Sequence, residues 1–98
     1  MRFEWDEGKN RRNLAKHEID FETAVLVFDD PYHLVLEDRV VDGEQRWKAL
    51  GLMGSTTVVL VVHTYQEADD EEVIRIISAR RAIRAERKDY DEAHGISS

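Results

Sequence analysis

The sequence predicts an α+β domain in which a small antiparallel β-sheet packs against N-terminal helices and a C-terminal helix. Three observations predict this class. Apolar residues recur at helical spacing before residue 30, later apolar runs alternate at a period of two between turn signals, and a charged helical segment follows. Consecutive strands joined by short turns predict an antiparallel meander, with the helices covering one of its faces. The length suits a single domain over residues 1–98.

The first part of the chain is predicted to hold one short strand and two helices. Residues 1–5 alternate as a strand, and Asp6 is a typical N-cap for a helix over residues 7–16. Asp20 is a second N-cap, in front of apolar residues at helical spacing over residues 21–28. Pro31 ends that helix because it disfavours helical geometry at the preceding residue. The first helix has little apolar content, which indicates that a polar face of it has a function.

Four strands and a closing helix are predicted for the remainder. The strands are residues 34–37, 46–53, 56–65 and 73–78, with turn signals at Asp42-Gly43 and Gly54-Ser55 and an acidic loop over residues 67–71. The run 56–65 is apolar on both faces and is therefore expected at the centre of the sheet. The last helix is predicted from Ala79 to about residue 93, with Gly95 as its stop.

Composition excludes several classes of protein. The chain has no cysteine, so disulfides, thiolate catalysis and cysteine-ligated zinc are excluded, and the histidines lack metal-ligand spacing. No glycine-rich phosphate loop or GxSxG elbow is present. No secretory signal is visible and no apolar run is long enough to span a bilayer, so we expect a cytoplasmic protein without a membrane, cofactor or metal.

The charge distribution is more informative than the net charge of −7. Residues 1–17 hold five basic and three acidic groups, and residues 73–88 hold six basic groups and one acidic group. Arg46 and Lys48 add two more cations on a strand, whereas the acidic excess lies in the connecting segments. If the basic segments converge in space, they form a site for an anionic ligand despite the overall sign.

Two candidate groups lie near the start and middle of the chain. Lys16 and His17 follow Lys9 on the first helix, and a histidine that titrates near neutrality can move protons. The alternative is a solvated basic helix end, where cations suit the helix dipole. Arg46 and Lys48 are two residues apart on a strand and point to one face, where they either bind an anion or pair with a local carboxylate.

The other candidates are arginines near the end of the chain. Arg75 lies within a buried strand and is either a phosphate clamp or part of a structural ion pair with an acidic residue such as Glu4. Arg80 and Arg81, with Arg84 further along, are predicted on the last helix, with Arg80 and Arg84 on one basic stripe. That stripe is either an anion site or a charged outer face.

Two blocks of the sequence resemble the BrnT-type toxins. The opening block is Phe3-Glu4-Trp5-Asp6 with Lys9, Asn13, Lys16-His17, Phe21, Ala24, Phe28 and Asp30-Pro31. The closing block is Ile74-Arg75-Ile76-Ile77-Ser78-Ala79-Arg80-Arg81-Ala82 with Glu86-Arg87 and Tyr90, and Arg46 followed by a Gly51 turn is similar to the family's middle strand. Glu18 is a departure, because the family usually has glycine there.

The resemblance implies a RelE-like fold and a growth-arresting ribonuclease. It implies neutralisation by a BrnA-like ribbon-helix-helix antitoxin, with operator DNA bound only through that antitoxin. The residues themselves fit this activity, because RNA cleavage without a metal needs a base, an acid and cations around the phosphate. The hypothesised catalytic residues are His17, Lys16, Arg46 and Arg80. The hypothesised RNA-binding residues are Lys9, Lys48, His63, Arg75, Arg81 and Arg84.

Two other functions compete with this interpretation. A non-catalytic binding module, or a degenerate toxin acting only as a co-repressor subunit, would use the basic residues in salt bridges. A direct DNA-binding repressor is disfavoured, because no recognition helix stands out and the net charge is unfavourable.

Overall fold

The computed structural model describes residues 1–93, which form one five-stranded sheet with helices on both faces. The predicted α+β class is confirmed. The strands are β1 (Arg2–Glu4), β2 (Leu34–Val41), β3 (Glu44–Met53), β4 (Thr57–Ala68) and β5 (Glu71–Arg81). The helices are α1 (Glu7–His17), α2 (Phe21–Ala24), a 3-10 helix (Val25–Asp29) and α3 (Arg84–Ala93).

The sheet is mixed, with the strand order β1-β5-β4-β3-β2. Each strand from β2 to β4 pairs antiparallel with the next one along the chain. β1 instead pairs parallel with β5, where Phe3 lies opposite Ile74. The prediction of a purely antiparallel sheet is therefore wrong for β1. The short-turn argument does not constrain β1, because almost the whole chain separates it from its partner strand.

Two-residue turns join β2 to β3 and β4 to β5. Asp42 and Gly43 have φ values of 50° and 78°, the left-handed geometry that suits the twist of a hairpin. Asp69 and Asp70 have φ values of 54° and 61° and close the second hairpin in the same way. The hairpin predicted at Asp42-Gly43 is confirmed. The loop predicted over residues 67–71 is wrong, because only Asp69 and Asp70 lie outside the strands.

Helices cover both faces of the sheet, and not one face as predicted. The first face, under α2 and the 3-10 helix, buries Ile19, Phe21, Ala24, Val27, Ala49, Val59, Val61, Ile76 and Ala79. The second face, under α3, buries Leu50, Val58, Leu60 and Tyr90. The sequence of β4 already indicated a cover on both faces, because a strand with apolar residues on both sides must be buried on both sides.

The junction between β5 and α3 lies further along the chain than predicted. β5 continues through Arg81, and α3 begins at Arg84. Arg80 and Arg81 are therefore strand residues, so the predicted helical stripe of Arg80 with Arg84 is wrong. The segment 21–28 is helical as predicted, but only its first turn is α-helical before it tightens to a 3-10 helix. Gly95, the predicted helix stop, lies outside the described residues.

Gly51 lies inside β3 and not in a turn. A Cβ atom at this position would come within 2.8 Å of both the Cγ1 and the carbonyl oxygen of Val27. That distance is shorter than carbon atoms tolerate, so glycine is needed for the 3-10 helix to approach the first face of the sheet. The expectation of a Gly51 turn is therefore corrected to a site of close backbone approach.

Asp30 ties α3 to the far end of β3. Its carboxylate accepts hydrogen bonds from the Tyr90 hydroxyl, from the Leu52 backbone N–H at 2.9 Å and from the Tyr32 backbone N–H at 3.0 Å. Burial opposes the charged form, but these hydrogen bonds prevail and hold the pKa of Asp30 below its usual value. The position of α3 over the second face therefore depends on a buried, hydrogen-bonded carboxylate.

Candidate functional site

A basic groove runs between α1 and the outer edge of β5. It consists of two adjoining depressions of about 390 Å³ and 320 Å³, which share Lys16 and His17. We call it the α1–β5 groove. It is lined by Lys9, Arg12, Asn13, Ala15, Lys16, His17, Glu18, Ile77, Ser78, Arg80, Arg81 and Ile83. The groove therefore brings together residues from the two ends of the sequence.

The caps of α1 place its basic end at the groove. The Asp6 carboxylate accepts a hydrogen bond from the Lys9 backbone N–H at 2.9 Å and starts the helix. Glu18 closes it with φ of 61°, and its N–H bonds the Leu14 carbonyl at 2.9 Å. A left-handed C-cap normally favours glycine. Glu18 instead puts a carboxylate at the rim beside His17.

Asn13 holds the two walls of the groove together. Its side chain is buried, and its amide nitrogen donates to the carbonyl oxygens of Ile19 and Ala79, both at 2.8 Å. Its amide oxygen accepts from the Ala79 backbone N–H at 3.1 Å. β1 pairs only with the first residues of β5, so Asn13 acts as the hydrogen-bonding neighbour for the later part of that edge. This fixes α1 relative to Arg80 and Arg81.

Positive charge prevails in the α1–β5 groove. Lys9, Arg12 and Lys16 take part in no ion pair within residues 1–93. Arg81 approaches Glu18 at 3.9 Å, but both side chains are mostly exposed, so this pair neutralises little charge. The groove can therefore attract an anion although the whole chain carries −7.

Arg80 is the most constrained cation of the groove. Its Nη1 and Nη2 atoms donate to the two carboxylate oxygens of Glu86 at 2.8 Å and 2.9 Å. This hydrogen bond from Arg80 is the largest cause that lowers the pKa of Glu86, and it raises the pKa of Arg80. The pair is ionised at neutral pH. Arg80 therefore lies in the groove with part of its hydrogen-bonding capacity already used.

Arg46, Lys48 and Arg75 lie on the second face of the sheet. Lys48 is opposite Val62 and Val62 is opposite Ser78, so Lys48 and Ser78 share that face. Lys48 is close enough to Glu86 to help lower its pKa. Arg75 donates to Glu4 at 3.2 Å, which matches the structural ion pair considered from the sequence. None of these three residues lines the α1–β5 groove.

His63 and Arg84 lie elsewhere. His63 is fully buried on the first face, where it packs edge-on against Phe28 and Tyr65. Burial lowers its pKa to about 4, so it is neutral at pH 7. RNA cannot reach this ring, and the predicted RNA-binding role of His63 is corrected. Arg84 lines a separate depression beside α3 together with Arg87.

Sequence reasoning missed two groove residues. Arg12 is three residues after Lys9 and four before Lys16, so its place on the same helical face was readable from the spacing. Ser78 follows a β-bulge, where Ile77 has no partner between the pairs Val62–Ser78 and His63–Ile76. Such a bulge re-aims neighbouring side chains and has no clear sequence signal here.

The same span of chain matches a known protein family. A family model described as "Ribonuclease toxin, BrnT, of type II toxin-antitoxin system" matches residues 5–86. The chain belongs to the BrnT family. The match begins before α1 and ends at Glu86, so it includes the whole α1–β5 groove. A search of curated protein sequences finds no match to this chain.

A solved structure gives the same result. The 1.1 Å crystal structure of the Brucella abortus ribonuclease toxin BrnT is similar to this chain with a TM-score of 0.61 and 25% sequence identity. The similarity covers 86% of this chain and 99% of the Brucella BrnT chain. The α+β fold of this BrnT-family member is therefore that of the Brucella protein.

Two further observations concern membranes and metals. Within residues 1–93, no helix combines the length and the apolar character needed to cross a bilayer. In the same part of the chain, no three histidine or acidic side chains are grouped so that they could hold a metal ion.

Proposed function

We propose that this BrnT-family chain is an endoribonuclease toxin that cleaves RNA in the α1–β5 groove without a metal and thereby arrests growth. The observation that carries the proposal is the placement of Lys16 and His17, from α1, in one groove with Arg80 and Arg81, from the end of β5. The four residues offer an imidazole among cations, which is the chemistry that cleavage of a phosphodiester requires. The family's description as ribonuclease toxins supports the same activity.

In the proposed mechanism, cleavage proceeds by attack of the RNA 2′-hydroxyl on the adjacent phosphorus. His17 takes the proton from the 2′-hydroxyl as general base, and the departing 5′-oxygen takes up a proton from solvent. Lys16 and Arg80 stabilise the negative charge that develops on the phosphorane oxygens. The products are a 2′,3′-cyclic phosphate and a 5′-hydroxyl, so water is not consumed in this step.

Other cations hold the strand on either side of the cleaved bond. Lys9 and Arg81 line the groove and would contact neighbouring phosphates. Arg46 and Lys48 lie on the second face, so a role for Arg46 in binding the RNA strand fits its position better than one at the reacting phosphate. Arg75 and Arg84 could add weaker contacts at the periphery. Since these contacts are electrostatic, binding should weaken steeply as salt is raised.

We further propose that the fold is RelE-like and that the toxin acts in the cytoplasm. A BrnA-like ribbon-helix-helix antitoxin would neutralise it, and the complex would reach operator DNA only through the antitoxin. The family's description as part of a type II toxin-antitoxin system supports a protein antitoxin. An antitoxin that covers the α1–β5 groove would block the RNA directly.

A growth assay, followed by a cleavage assay with the purified protein, tests this proposal. Expression of the chain alone should arrest bacterial growth, and the purified protein should cleave RNA. His17→Ala and Arg81→Ala should each lower the rate of RNA cleavage at least tenfold and should weaken the growth arrest accordingly. Arg39→Ala is the matched control, because Arg39 is exposed on β2 outside the groove. Wild-type activity in His17→Ala would show that the imidazole has no part in the reaction.

The ion pairs Arg80–Glu86 and Arg75–Glu4 favour a second candidate, a non-catalytic binding module. Two of the expected cations are partly neutralised within the fold. On this alternative, the chain would bind an antitoxin without cleaving RNA. Co-expression distinguishes the two, because only a toxin is harmful when the antitoxin is absent.

A further inference from the structure

The guanidinium of Arg80 uses three of its five N–H groups inside the protein. Nη1 donates to Glu86 Oε1 at 2.8 Å and to the Arg81 carbonyl oxygen at 3.2 Å. Nη2 donates once, to Glu86 Oε2 at 2.9 Å. A guanidinium has one N–H on Nε and two on each Nη. The Nε–H and the second N–H of Nη2 therefore remain, with no acceptor within residues 1–93.

These two remaining N–H groups lie on one edge of the guanidinium plane. Parallel N–H groups on one edge form the fork that binds two oxygens of a phosphate. Arg80 lines the α1–β5 groove, so this fork belongs to a side chain at the proposed RNA site. The pairing with Glu86 thus leaves one complete phosphate-binding edge.

Glu86 is itself held firmly. Its Oε1 also accepts a hydrogen bond from the Ile83 backbone N–H at 2.9 Å, just before α3 begins. Its side chain is only 16% exposed. The other arginine pairs are looser, since Arg75 has one bond to Glu4 at 3.2 Å and Arg81 reaches Glu18 only at 3.9 Å. Among the arginines of residues 1–93, Arg80 alone is held at two nitrogen atoms by one carboxylate.

We propose that Glu86 is a positioning residue that orients Arg80, so that the Nε–Nη2 edge of its guanidinium binds an RNA phosphate in the α1–β5 groove. This inference rests on the proposed ribonuclease function. Glu86 does not touch the RNA, and it acts by restricting the rotation of the Arg80 side chain. Binding RNA then requires little further ordering of that long side chain.

Glu86→Gln is the decisive variant, with Glu92→Gln as its control. Glutamine retains an oxygen for the Ile83 N–H but lacks the second oxygen and the charge. Glu92 is on the same helix and, within residues 1–93, forms its one ion pair with Lys88 at 3.9 Å. We expect Glu86→Gln to lower kcat/KM for RNA roughly tenfold and to weaken binding of a 2′-deoxy, uncleavable oligonucleotide to a similar degree. Glu92→Gln should leave both unchanged. Unchanged or tighter binding by Glu86→Gln would overturn the proposal.

A double-mutant cycle separates positioning from a general structural role. Arg80→Lys keeps the charge but cannot form the fork, so adding Glu86→Gln to it should reduce activity by less than twofold further. If the two losses instead multiply, Glu86 acts independently of Arg80 and the proposal is wrong. Thermal unfolding of each variant shows whether it is folded.

An NMR measurement tests the inference without relying on RNA cleavage. The Arg80 Nε–Hε signal should be sharp in the wild type, should shift when inorganic phosphate is added, and should broaden in Glu86→Gln. If the wild type shows this behaviour but cleaves no RNA, the ribonuclease proposal fails while the positioning of Arg80 stands. If the signal is equally broad in both proteins, Glu86 does not position Arg80.

Discussion

The buried imidazole of His63 should make the stability of this protein depend on pH above the range where carboxylates titrate. Neither of its ring nitrogens has a hydrogen-bond partner within residues 1–93, and the ring is fully buried. Burial lowers its pKa from 6.5 to about 4. The folded protein therefore keeps His63 neutral, whereas the unfolded chain takes up a proton as pH falls below 6.5.

The sign and the size of the effect follow from these two pKa values. Because the pKa of His63 is lower in the folded protein than in the unfolded chain, its contribution to the free energy of unfolding is fully present above pH 6.5. That contribution is lost as pH falls from 6.5 towards 4. The whole loss is about 3 kcal/mol, of which about 2 kcal/mol falls between pH 7 and pH 5. For a domain of this size, that corresponds to a decrease in Tm of roughly 10 °C.

Urea unfolding at pH 7, 6 and 5 measures this dependence. His63→Leu removes the titrating ring, and its free energy of unfolding should change by less than about 0.5 kcal/mol over this range. Val61→Ala is the control, because it removes buried apolar atoms from the same strand and should lower stability equally at every pH. If the wild type and His63→Leu lose stability in parallel, His63 is not the cause and the argument from burial is refuted.

Three further substitutions test the contacts that shape the groove and the fold. Asn13→Ala should lower the free energy of unfolding by about 3 kcal/mol and should lower RNA cleavage. Its control is Asn10→Ala, since Asn10 is buried on the same helix but has no bond to β5; this variant should lose about 1 kcal/mol of stability and leave cleavage intact. Chemical denaturation and a cleavage assay measure the two effects, and equal losses of cleavage in both variants would contradict the role given to Asn13. Tyr90→Phe removes a hydrogen bond to the Asp30 carboxylate and should lower the free energy of unfolding by about 2 kcal/mol at pH 7, measured by urea titration, with no loss expected if that bond is unimportant. Gly51→Ala should destabilise by about 3 kcal/mol or prevent folding, because its Cβ has no space; a variant with wild-type Tm would show that the 3-10 helix moves away readily.

Local chemistry made much of the fold predictable. Asp6 and Asp20 cap the helices that they were predicted to cap, and Asp42-Gly43 forms its hairpin. The β4–β5 hairpin was missed because an acidic run resembles a solvated loop. Its strand character comes from pairing between β4 and β5, and not from the propensity of its own residues. The late start of α3 has the same origin, since β5 extends as far as its pairing with β4 allows.

The groove residues that belong to α1 were predictable from the sequence, whereas those that belong to the sheet were less so. Lys9, Lys16 and His17 were predicted together on the first helix, and all three line the groove. His63 was misassigned because β4 is apolar on both sides, and its alternation alone does not reveal how deeply each face is covered. The pairing of Arg80 with Glu86 depends on the position of α3 over the second face, which no local pattern in the sequence specifies.

The most direct test of the central claim is the chemistry of the RNA ends produced by the purified protein in excess EDTA. We expect cleavage to continue in EDTA and to leave 2′,3′-cyclic phosphate and 5′-hydroxyl ends, and a single 2′-deoxy substitution at the cleaved position to abolish it. The His17→Ala protein should not produce these ends above background. Cleavage that EDTA abolishes, or products with 5′-phosphate ends, would contradict an imidazole-assisted attack by the 2′-hydroxyl in the α1–β5 groove.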